Sequence, residues 1–231
     1  MTKKLYWDDA YIKEFDATVT SVNGNQIVLD QTAFNPRGGG LVSDTGELEK
    51  AKILEVVKGE SDSILHVVDG GNFSVGQKVH GKLDWEKRYR IMRMHTTAHL
   101  LSSIFNTELG SLITGNQVAP DESRVDFNLE NFDKEKIFQL VEKANQIIQE
   151  GHPVKTYFLP REEAMKIPNI VKLAGAMPPD VAELRIVEIE GVDIQADGGP
   201  HVKNLKEIGK ITALKTEHKG KNNRRLYFTV S

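Results

Sequence analysis

The stretch WEKRYRIMRMHTTAHLLSSIFNTELG, residues 85–110, decides how this chain is organised. Its apolar residues recur at steps of three or four, which is typical of an amphipathic helix: Ile91, Met94, Ala98, Leu101 and Phe105. His95 and His99 each follow a position of this stripe, and they lie one turn apart on one face. We therefore expect a long helix that carries both histidines at the margin of its buried face.

The sequence before this helix predicts short strands. Turn signals such as Asn23-Gly24 and Asp69-Gly70-Gly71 separate segments with strand-like composition, at residues 14–22, 25–34, 46–57, 63–69 and 77–84. Closely spaced short strands without a helical period favour a small antiparallel barrel. We expect a β-barrel domain over residues 1–86.

The sequence after the helix mixes both kinds of element. A second helix is expected from the N-cap Asp133 to Gly151, and a short one at residues 161–166. Strands are expected at residues 153–159, 183–195, 209–218 and 224–230. Residues 87–231 therefore predict an α+β domain with helices packed on a mainly antiparallel sheet, and the fold class of the chain is α+β.

Composition limits the chemistry and the compartment. The chain has 231 residues, of which 39% are hydrophobic and 27% charged, so it can bury a core. It has no cysteine, which excludes disulfides, thiolate metal ligands and a cysteine nucleophile. No apolar run approaches the ~20 residues of a membrane span, and the N-terminal residues lack a signal-peptide pattern. We expect a cytoplasmic protein without a membrane segment.

Basic residues are concentrated in two segments, although the net charge is −3. One segment runs from Lys82 to Arg93, and the other runs from His201 to the C-terminus. Together they could form an electropositive surface for a polyanion. Two ordinary solvated faces remain the alternative from charge alone.

Two histidine motifs suggest a metal site. Two imidazoles at i and i+4 on a helix suit a tetrahedral zinc ion, and Asp197-Gly-Gly-Pro-His201 offers a carboxylate and a third imidazole in a tight loop. Thr96 and Thr97 stand where a metalloprotease helix would place its glutamate, so a protease is not indicated. Each motif alone could be a boundary pair or a turn, but together they supply four ligands for Zn²⁺.

Four motifs in order give the chain a specific resemblance. They are FNPRGGGLVSDTGEL at residues 34–48, HTTAHLL at 95–101, VAPDESRVDF at 118–127 and ADGGPHVKNLKEIG at 196–209. The chain resembles, over essentially its whole length, the editing domain of alanyl-tRNA synthetase and its free-standing relatives, the AlaX proteins of medium length. The resemblance implies a hydrolase that deacylates mischarged Ser-tRNA(Ala) or Gly-tRNA(Ala) in trans.

The resemblance also implies roles for individual residues. His95, His99 and His201 match the zinc ligands of the family, and Asp197 stands where the family usually has cysteine. Asp197 either supplies an oxygen ligand or leaves the metal on three histidines. Two further departures are Pro200 in place of threonine in the loop, and Leu41 where glutamine often follows the three glycines.

Further residues are expected around the substrate. Thr114, with Asn116 second, is the candidate for the polar residue that editing sites tend to carry after the first histidine, although Thr114 could equally be a turn residue. Gly38, Gly39 and Gly40 are expected to form a wall that excludes larger amino acids. They lack the G-K-[ST] ending of a phosphate loop, so ATP binding is not expected.

The basic segments then predict a surface for the acceptor end of tRNA. Its expected members are Arg88, Arg90, Arg93, Lys203, Lys206, Lys219, Lys221, Arg224 and Arg225. Asp126 is expected to pair with Arg124 or to cap local backbone, and Asp193 to orient the glycine loop. The alternatives are an editing hydrolase of the threonyl-tRNA type and a non-catalytic module that binds tRNA or metal.

Overall fold

The computed structural model describes residues 1–130, 133–175 and 177–231. These residues form two compact units, Met1–Ile91 and Met92–Ser231, which we call the barrel unit and the second unit. The barrel unit contains a closed antiparallel barrel, and the second unit combines antiparallel sheets with helices. The predicted α+β fold class and the N-terminal barrel are confirmed.

The elements of the barrel unit are β1 Lys3–Lys4, α1 Leu5–Asp8, β2 Glu14–Asn23, β3 Gln26–Leu29, β4 Gln31–Thr32, β5 Gly46–Leu48, β6 Ala51–Lys58, a short 3-10 segment Glu60–Asp62, β7 Ile64–Asp69 and β8 Lys78–Leu83. The barrel is closed in the strand order β2-β3-β7-β6-β5-β8. Side chains alternate between core and solvent, so that Phe15, Ala17 and Val19 of β2 are buried.

One predicted barrel strand, residues 46–57, is a hairpin. β5 and β6 pair antiparallel, with Leu48 opposite Ala51, and the chain reverses between them at Glu49, whose φ is 57°. Leu48 and Ala51 are both buried, so the run of core residues continues across the turn. The prediction of a single strand was wrong because the turn uses Glu49 and Lys50 instead of glycine or proline.

The long helix α2 spans Trp85–Leu109. The five apolar residues of the predicted stripe are buried, which confirms the stripe, but the buried surface is wider than expected. Every residue from Met94 to Phe105 is buried, including His95 and His99. A helix that is buried on all sides needs no polar face over that length. The two histidines therefore belong to the interior of the second unit and not to its margin.

The elements of the second unit after α2 are β9 Ile113–Gln117, β10 Ser123–Phe127, α3 Lys134–Glu150, β11 Val154–Pro160, α4 Arg161–Ala164, β12 Glu183–Ile189, β13 Asp193–Ala196, a 3-10 segment Leu205–Ile208, β14 Ile211–His218 and β15 Arg224–Val230. The strands form two antiparallel sheets, with orders β14-β15-β10-β9 and β11-β12-β13. Helix α3 begins and ends as predicted: the Asp133 carboxylate accepts from two backbone N–H groups, and Gly151 adopts a left-handed conformation.

Two features of the second unit differ from the prediction. The single strand expected at residues 183–195 is the hairpin β12–β13, which turns at Gly191 with φ 73°. Strands β9 and β10 were not predicted, because their short sequences contain too many polar residues for a clear alternation. Among the described residues, no helix is long and apolar enough to cross a membrane.

Candidate metal centre

Four side chains of the second unit converge on one point. His95 and His99 come from α2, and Asp197 and His201 come from the loop that follows β13. Their ligand atoms all lie within 4.8 Å of one another. The three histidines are buried, whereas 25% of the Asp197 side chain is exposed. We call these four residues the His/Asp cluster, and it is open to solvent on the Asp197 side.

The carboxylate of Asp197 lies opposite the Nε2 atoms of all three histidines. Its Oδ1 is 3.3 Å from Nε2 of His201, and its Oδ2 is 3.6 Å from Nε2 of His95 and 3.8 Å from Nε2 of His99. Ligands around a tetrahedral zinc ion with bonds of about 2.1 Å are separated by roughly 3.4 Å. The spacing of these four donors therefore fits a small tetrahedral ion.

The other ring nitrogen of two histidines is held by the protein. Nδ1 of His95 faces the carbonyl oxygen of Pro200 at 3.3 Å, which can only accept a hydrogen bond. Nδ1 of His201 lies 3.1 Å from Oγ1 of Thr96, whose hydroxyl proton is donated to the carbonyl of Met92. Thr96 must therefore accept from His201. Both neutral rings carry their proton on Nδ1 and leave Nε2 free as a ligand.

His99 is backed by a carboxylate instead. Its Nδ1 lies 3.5 Å from Oδ2 of Asp193, at the outer limit of hydrogen bonding. Asp193 is buried and also accepts from the ammonium of Lys172 and, at 2.8 Å, from Nε2 of Gln195. Asp193 was expected to orient the glycine loop, but its carboxylate lies against the helix histidine.

The loop that carries Asp197 is fixed by Arg185 of β12. Nη1 of Arg185 donates to the carbonyl of Asp197 at 3.0 Å and to that of Gly199 at 2.9 Å. The backbone N–H of Asp197 donates in return to the carbonyl of Arg185 at 3.1 Å, and the N–H of Gly199 donates to Oδ1 of Asp197 at 2.6 Å. These bonds hold the Asp197 carboxylate towards the histidines.

The electrostatics of the cluster favour a bound cation. Burial lowers the pKa of His95 to about 4 and, together with the neighbouring imidazoles, holds the pKa of His201 well below its usual value. Burial also acts to lower the pKa of His99, but Asp193 and Asp197 outweigh it and raise that pKa to about 9. Burial acts to raise the pKa of Asp197, but the three histidines hold it well below its usual range. His95 and His201 therefore stay neutral, as metal ligands must, and positive charge is stabilised at His99 beside the two carboxylates.

The residues predicted to line the substrate pocket lie on separate elements. Thr114 is exposed on β9, and its Oγ1 donates to Oδ1 of Asn223 at 2.8 Å, while Asn116 is half-buried on the same strand. Gly38–Gly40 belongs to the barrel unit, where Gly39 and Gly40 are exposed and have φ values of 60° and 88° in a tight turn. The pocket roles of these residues stay predictions.

Two of the arginines predicted to contact tRNA are buried. Arg88 is fully buried and bonds to the carboxylate of Asp44 and to the carbonyls of Ala10 and Ala33. Arg224 is 6% exposed, and its guanidinium donates to backbone carbonyls of its own turn. Their charges are used inside the fold, so the structure contradicts their place on a phosphate-binding surface. Both leave the predicted set.

The remaining basic residues are more accessible. The exposed ones are Lys203, Lys206, Lys219 and Lys221, and the half-buried ones are Arg90, Arg93 and Arg225. Arg93 donates to the carbonyl of Ile208, and Arg225 forms a two-fold ion pair with Asp126 at 2.6 and 2.8 Å. Asp126 also accepts from Arg124 at 3.0 Å, as predicted.

Two family models match the chain. The model described as the second additional domain of threonyl and alanyl tRNA synthetases matches residues 184–227, which include the loop of the His/Asp cluster. The model of class II (A) tRNA synthetases matches residues 8–87, which lie in the barrel unit. Both halves of the chain are thus similar to parts of tRNA synthetases.

Curated relatives match over the full length. An alanyl-tRNA editing protein AlaX-M from Saccharolobus solfataricus is 51% identical over 236 residues, covering 100% of this chain and 99% of the relative. An AlaX-M from Methanosarcina barkeri is 46% identical with the same coverage. Alanine–tRNA ligase from Ignicoccus hospitalis is 37% identical over 93% of this chain but only 24% of the ligase. The chain therefore belongs to the AlaX-M family of alanyl-tRNA editing proteins.

Proposed function

We propose that this protein hydrolyses the ester of mischarged Ser-tRNA(Ala) and Gly-tRNA(Ala) at a zinc site formed by the His/Asp cluster. The observation that carries the proposal is the convergence of three buried Nε2 atoms on the Asp197 carboxylate, in a chain whose full-length relatives are alanyl-tRNA editing proteins. Three imidazoles and one carboxylate are donors that zinc accepts.

The cluster divides the work between its residues. His95, His99 and His201 would hold the ion from the interior, and Asp197 would hold it from the exposed side. A bound zinc ion supplies Lewis-acid chemistry to the ester. Arg185 keeps Asp197 in place through the loop backbone, and Thr96 keeps the ring of His201 in the ligating tautomer. The solvent-exposed side at Asp197 is where the aminoacyl end would approach.

Discrimination of serine from alanine requires a partner for one hydroxyl group. A site that hydrogen-bonds a hydroxyl rejects the analogue without it, because its own polar group is left unpaired. Thr114 donates its hydroxyl proton to Asn223, so its oxygen can still accept from a seryl hydroxyl. We assign Thr114 this role, with Asn116 second, and we assign exclusion of larger side chains to Gly38–Gly40.

The tRNA would be held by basic residues that keep exposed or partly exposed side chains. These are Lys203, Lys206, Lys219 and Lys221, with the half-buried Arg90, Arg93 and Arg225 as further members. Phosphate contacts of this kind release counterions, so the affinity should fall steeply with salt. A cytoplasmic location without a requirement for ATP belongs to the same proposal.

A deacylation assay tests the reaction. The zinc-loaded chain is incubated with Ser-tRNA(Ala), Gly-tRNA(Ala), Ala-tRNA(Ala) and Ser-tRNA(Thr), and with the chelator-stripped protein as the matched control. We expect hydrolysis of the first two, protection of Ala-tRNA(Ala) and loss of activity on stripping. Hydrolysis of Ser-tRNA(Thr) alone would favour the threonyl-tRNA type of editing, and no hydrolysis at all would leave a binding module.

The place of Asp197 is tested by metal content. We expect Asp197→Ala to lose zinc during dialysis that the unchanged chain survives, because one of four ligands is removed. Asp197→Cys, which restores the thiolate that is usual in the family, should retain stoichiometric zinc. If Asp197→Ala retains zinc as tightly as the unchanged protein, the ion is bound by the histidines and Asp197 is not a ligand.

A further inference from the structure

We infer that the buried pair Lys172–Asp193 positions His99. Asp193 holds the imidazole ring with Nε2 directed at the metal, and Lys172 offsets the charge of the Asp193 carboxylate. The inference rests on the metal site of the proposed function and adds three residues to it, Lys172, Asp193 and Gln195. None of them lies in the motifs that identify the ligands.

The three histidines differ in what lies behind them. Nδ1 of His95 faces a backbone carbonyl and Nδ1 of His201 faces a hydroxyl, whereas Nδ1 of His99 faces the Asp193 carboxylate. A carboxylate behind an imidazole fixes the tautomer, orients the ring and makes the other nitrogen a stronger donor. His99 is thus the ligand whose strength depends on a charged neighbour.

Asp193 is itself fixed at both oxygens. Oδ1 accepts from Nζ of Lys172, and Oδ2 accepts from Nε2 of Gln195 at 2.8 Å. Nε2 of Gln195 also donates to Oγ of Ser102 at 3.0 Å, and Ser102 donates to the carbonyl of His99 at 3.0 Å. The contacts form a closed path from α2 through β13 back to His99. The carboxylate therefore cannot turn away from the ring without breaking a buried hydrogen bond.

Backbone bonds fix the segment that carries Lys172. The carbonyl of Lys172 accepts from the N–H of Ile113 at 2.9 Å, and the carbonyl of Ile170 accepts from the N–H of Ala196 at 3.0 Å. The segment is thus bonded to β9 on one side of Lys172 and to β13 on the other. Lys172 is only 6% exposed, so its ammonium is committed to this interior position.

The charge count explains why a lysine belongs here. With neutral histidines, a Zn²⁺ ion and the Asp197 carboxylate together carry a net charge of +1. Asp193 alone would reduce this to zero, and Lys172 restores it. A buried ion pair is expensive to desolvate and is weak evidence for stability by itself. At this position the Asp193 carboxylate makes His99 a stronger metal ligand, and Lys172 keeps the net charge of the zinc centre at +1. The centre therefore still attracts the electron-rich carbonyl oxygen of an ester.

The test measures zinc affinity by competition with a chelator, on the full chain without tRNA. We expect Asp193→Asn to weaken zinc binding about 10-fold to 100-fold. Lys172→Met should weaken it less, because the carboxylate loses an anchor but its charge is no longer offset. The double variant should be no weaker than Asp193→Asn, because Lys172 acts through Asp193. The matched control is Lys155→Met, which breaks the exposed ion pair with Glu190 in the same unit and should leave zinc affinity unchanged.

A spectroscopic measurement separates positioning from mere structural support. The visible absorption of the Co²⁺-substituted protein reports ligand geometry, and we expect it to change in Lys172→Met and not in Lys155→Met. If Lys172→Met is unstable, Gln195→Met removes the other anchor of Asp193 without leaving a charge and should show the same changes to a smaller extent.

Unchanged zinc affinity and an unchanged cobalt spectrum in Lys172→Met and Gln195→Met, with only a lower melting temperature of the metal-free protein, would overturn the inference. Because these measurements use no tRNA, they stay distinct from the deacylation assay. A protein that binds zinc through this device but hydrolyses no ester would refute the proposed function and leave the inference intact.

Discussion

Buried histidines occur in both units of the molecule, and they are satisfied in different ways. His66 lies in the core of the barrel unit with both ring nitrogens engaged. Its Nδ1 is 3.1 Å from the carbonyl of Ile27, and its Nε2 is 2.8 Å from the hydroxyl of Thr32. In the His/Asp cluster, Nδ1 of His95 and of His201 is hydrogen-bonded, Nδ1 of His99 lies 3.5 Å from the Asp193 carboxylate, and the three Nε2 atoms are directed at Asp197.

The comparison shows what distinguishes a structural histidine from a ligand. Burial is the same, since His66 and His95 are both nearly inaccessible and burial lowers the pKa of each to about 4. The difference is the second nitrogen, which has a partner within the fold in His66 and a carboxylate shared with two other rings in His95. Only the second arrangement gains from an added ion.

The strongest way to break this comparison is to remove one converging ring. We expect His201→Ala to lose the metal and to lower the rate of Ser-tRNA(Ala) deacylation by about 1,000-fold or more, since outer contacts of metal ligands already account for 10–100-fold. Zinc content and single-turnover deacylation measure it. The matched control is His152→Gln, at a histidine that pairs with Glu150 outside the cluster, and it should retain both.

The barrel unit also contains a buried ion pair, which is comparable to Lys172–Asp193. Arg88 and Asp44 are both buried and bond to each other. We expect Arg88→Met to reduce the free energy of unfolding by about 3–5 kcal/mol, because it leaves the Asp44 charge buried without its partner. Urea unfolding measures the loss, with Arg37→Met as the control.

Arg37 pairs with Glu55 on the surface of the same unit, and 65% of its side chain is exposed. Removing it should change the free energy of unfolding by less than about 1 kcal/mol. Equal effects of the two substitutions would mean that Arg88 is as well solvated as Arg37. That result would return Arg88 to the tRNA-binding surface.

The burial of His66, whose two ring nitrogens are both hydrogen-bonded, predicts that the free energy of unfolding depends on pH. Its folded pKa of about 4 lies below the unfolded value of about 6.5, so between these values the unfolded chain binds more protons at this residue. The contribution of His66 to stability must therefore fall as the pH falls from 6.5 towards 4, by about 2–3 kcal/mol at pH 4.5. Urea unfolding at pH 7 and pH 4.5 measures the loss, which should be smaller in His66→Gln.

His80 provides the control for this titration. It is exposed on the same barrel, and a hydrogen bond with the Asp16 carboxylate raises its pKa instead of lowering it. His80→Gln should therefore leave the acid-dependent loss of stability in place. If His66→Gln loses as much stability between pH 7 and pH 4.5 as the unchanged chain, His66 is not the group responsible.

Much of the fold could be predicted from the sequence, because periodicity reports burial directly. The helix of residues 85–109, the capped helix after Asp133 and most of the barrel strands followed from apolar spacing and turn residues. Two hairpins were predicted as single strands. Buried Leu48 and Ala51 continue the apolar pattern across the first turn, and the second turn is marked only by the single Gly191 within a strand-like run. Strands β9 and β10 were not predicted because their pairing with neighbouring strands, and not their amino-acid composition, makes them strands.

The ligands of the site were predictable, and their supports were not. The spacing H-x-x-x-H and the D-G-G-x-H loop place four donors without knowledge of the fold. Lys172, Gln195 and Arg185 contact the site only through the pairing of β9, β12 and β13, and no local pattern marks them. The sequence marked Thr96 only as the residue that replaces the glutamate of a metalloprotease helix. It did not indicate the hydrogen bond between Thr96 and His201.

The smallest expected effect is a change in tRNA affinity on substitution of one surface lysine. It extends to basic residues the comparison between groups bonded within the fold and groups that can bind a ligand. Arg224 and Lys221 lie three positions apart, but only Lys221 is exposed. We expect Lys221→Gln to weaken tRNA binding a few-fold at low salt and to reduce the slope of log affinity against log salt by about one. Filter binding over a range of salt concentrations measures the slope.

Lys143→Gln is the matched control for that measurement, since Lys143 pairs with Glu108 elsewhere on the same unit. Its substitution should leave the slope unchanged. An unchanged slope in Lys221→Gln as well would remove Lys221 from the phosphate contacts, because a lost contact releases one counterion fewer whatever its geometry. The tRNA would then have to be held by the lysines near the 3-10 segment, Lys203 and Lys206, whose substitution should reduce the slope instead.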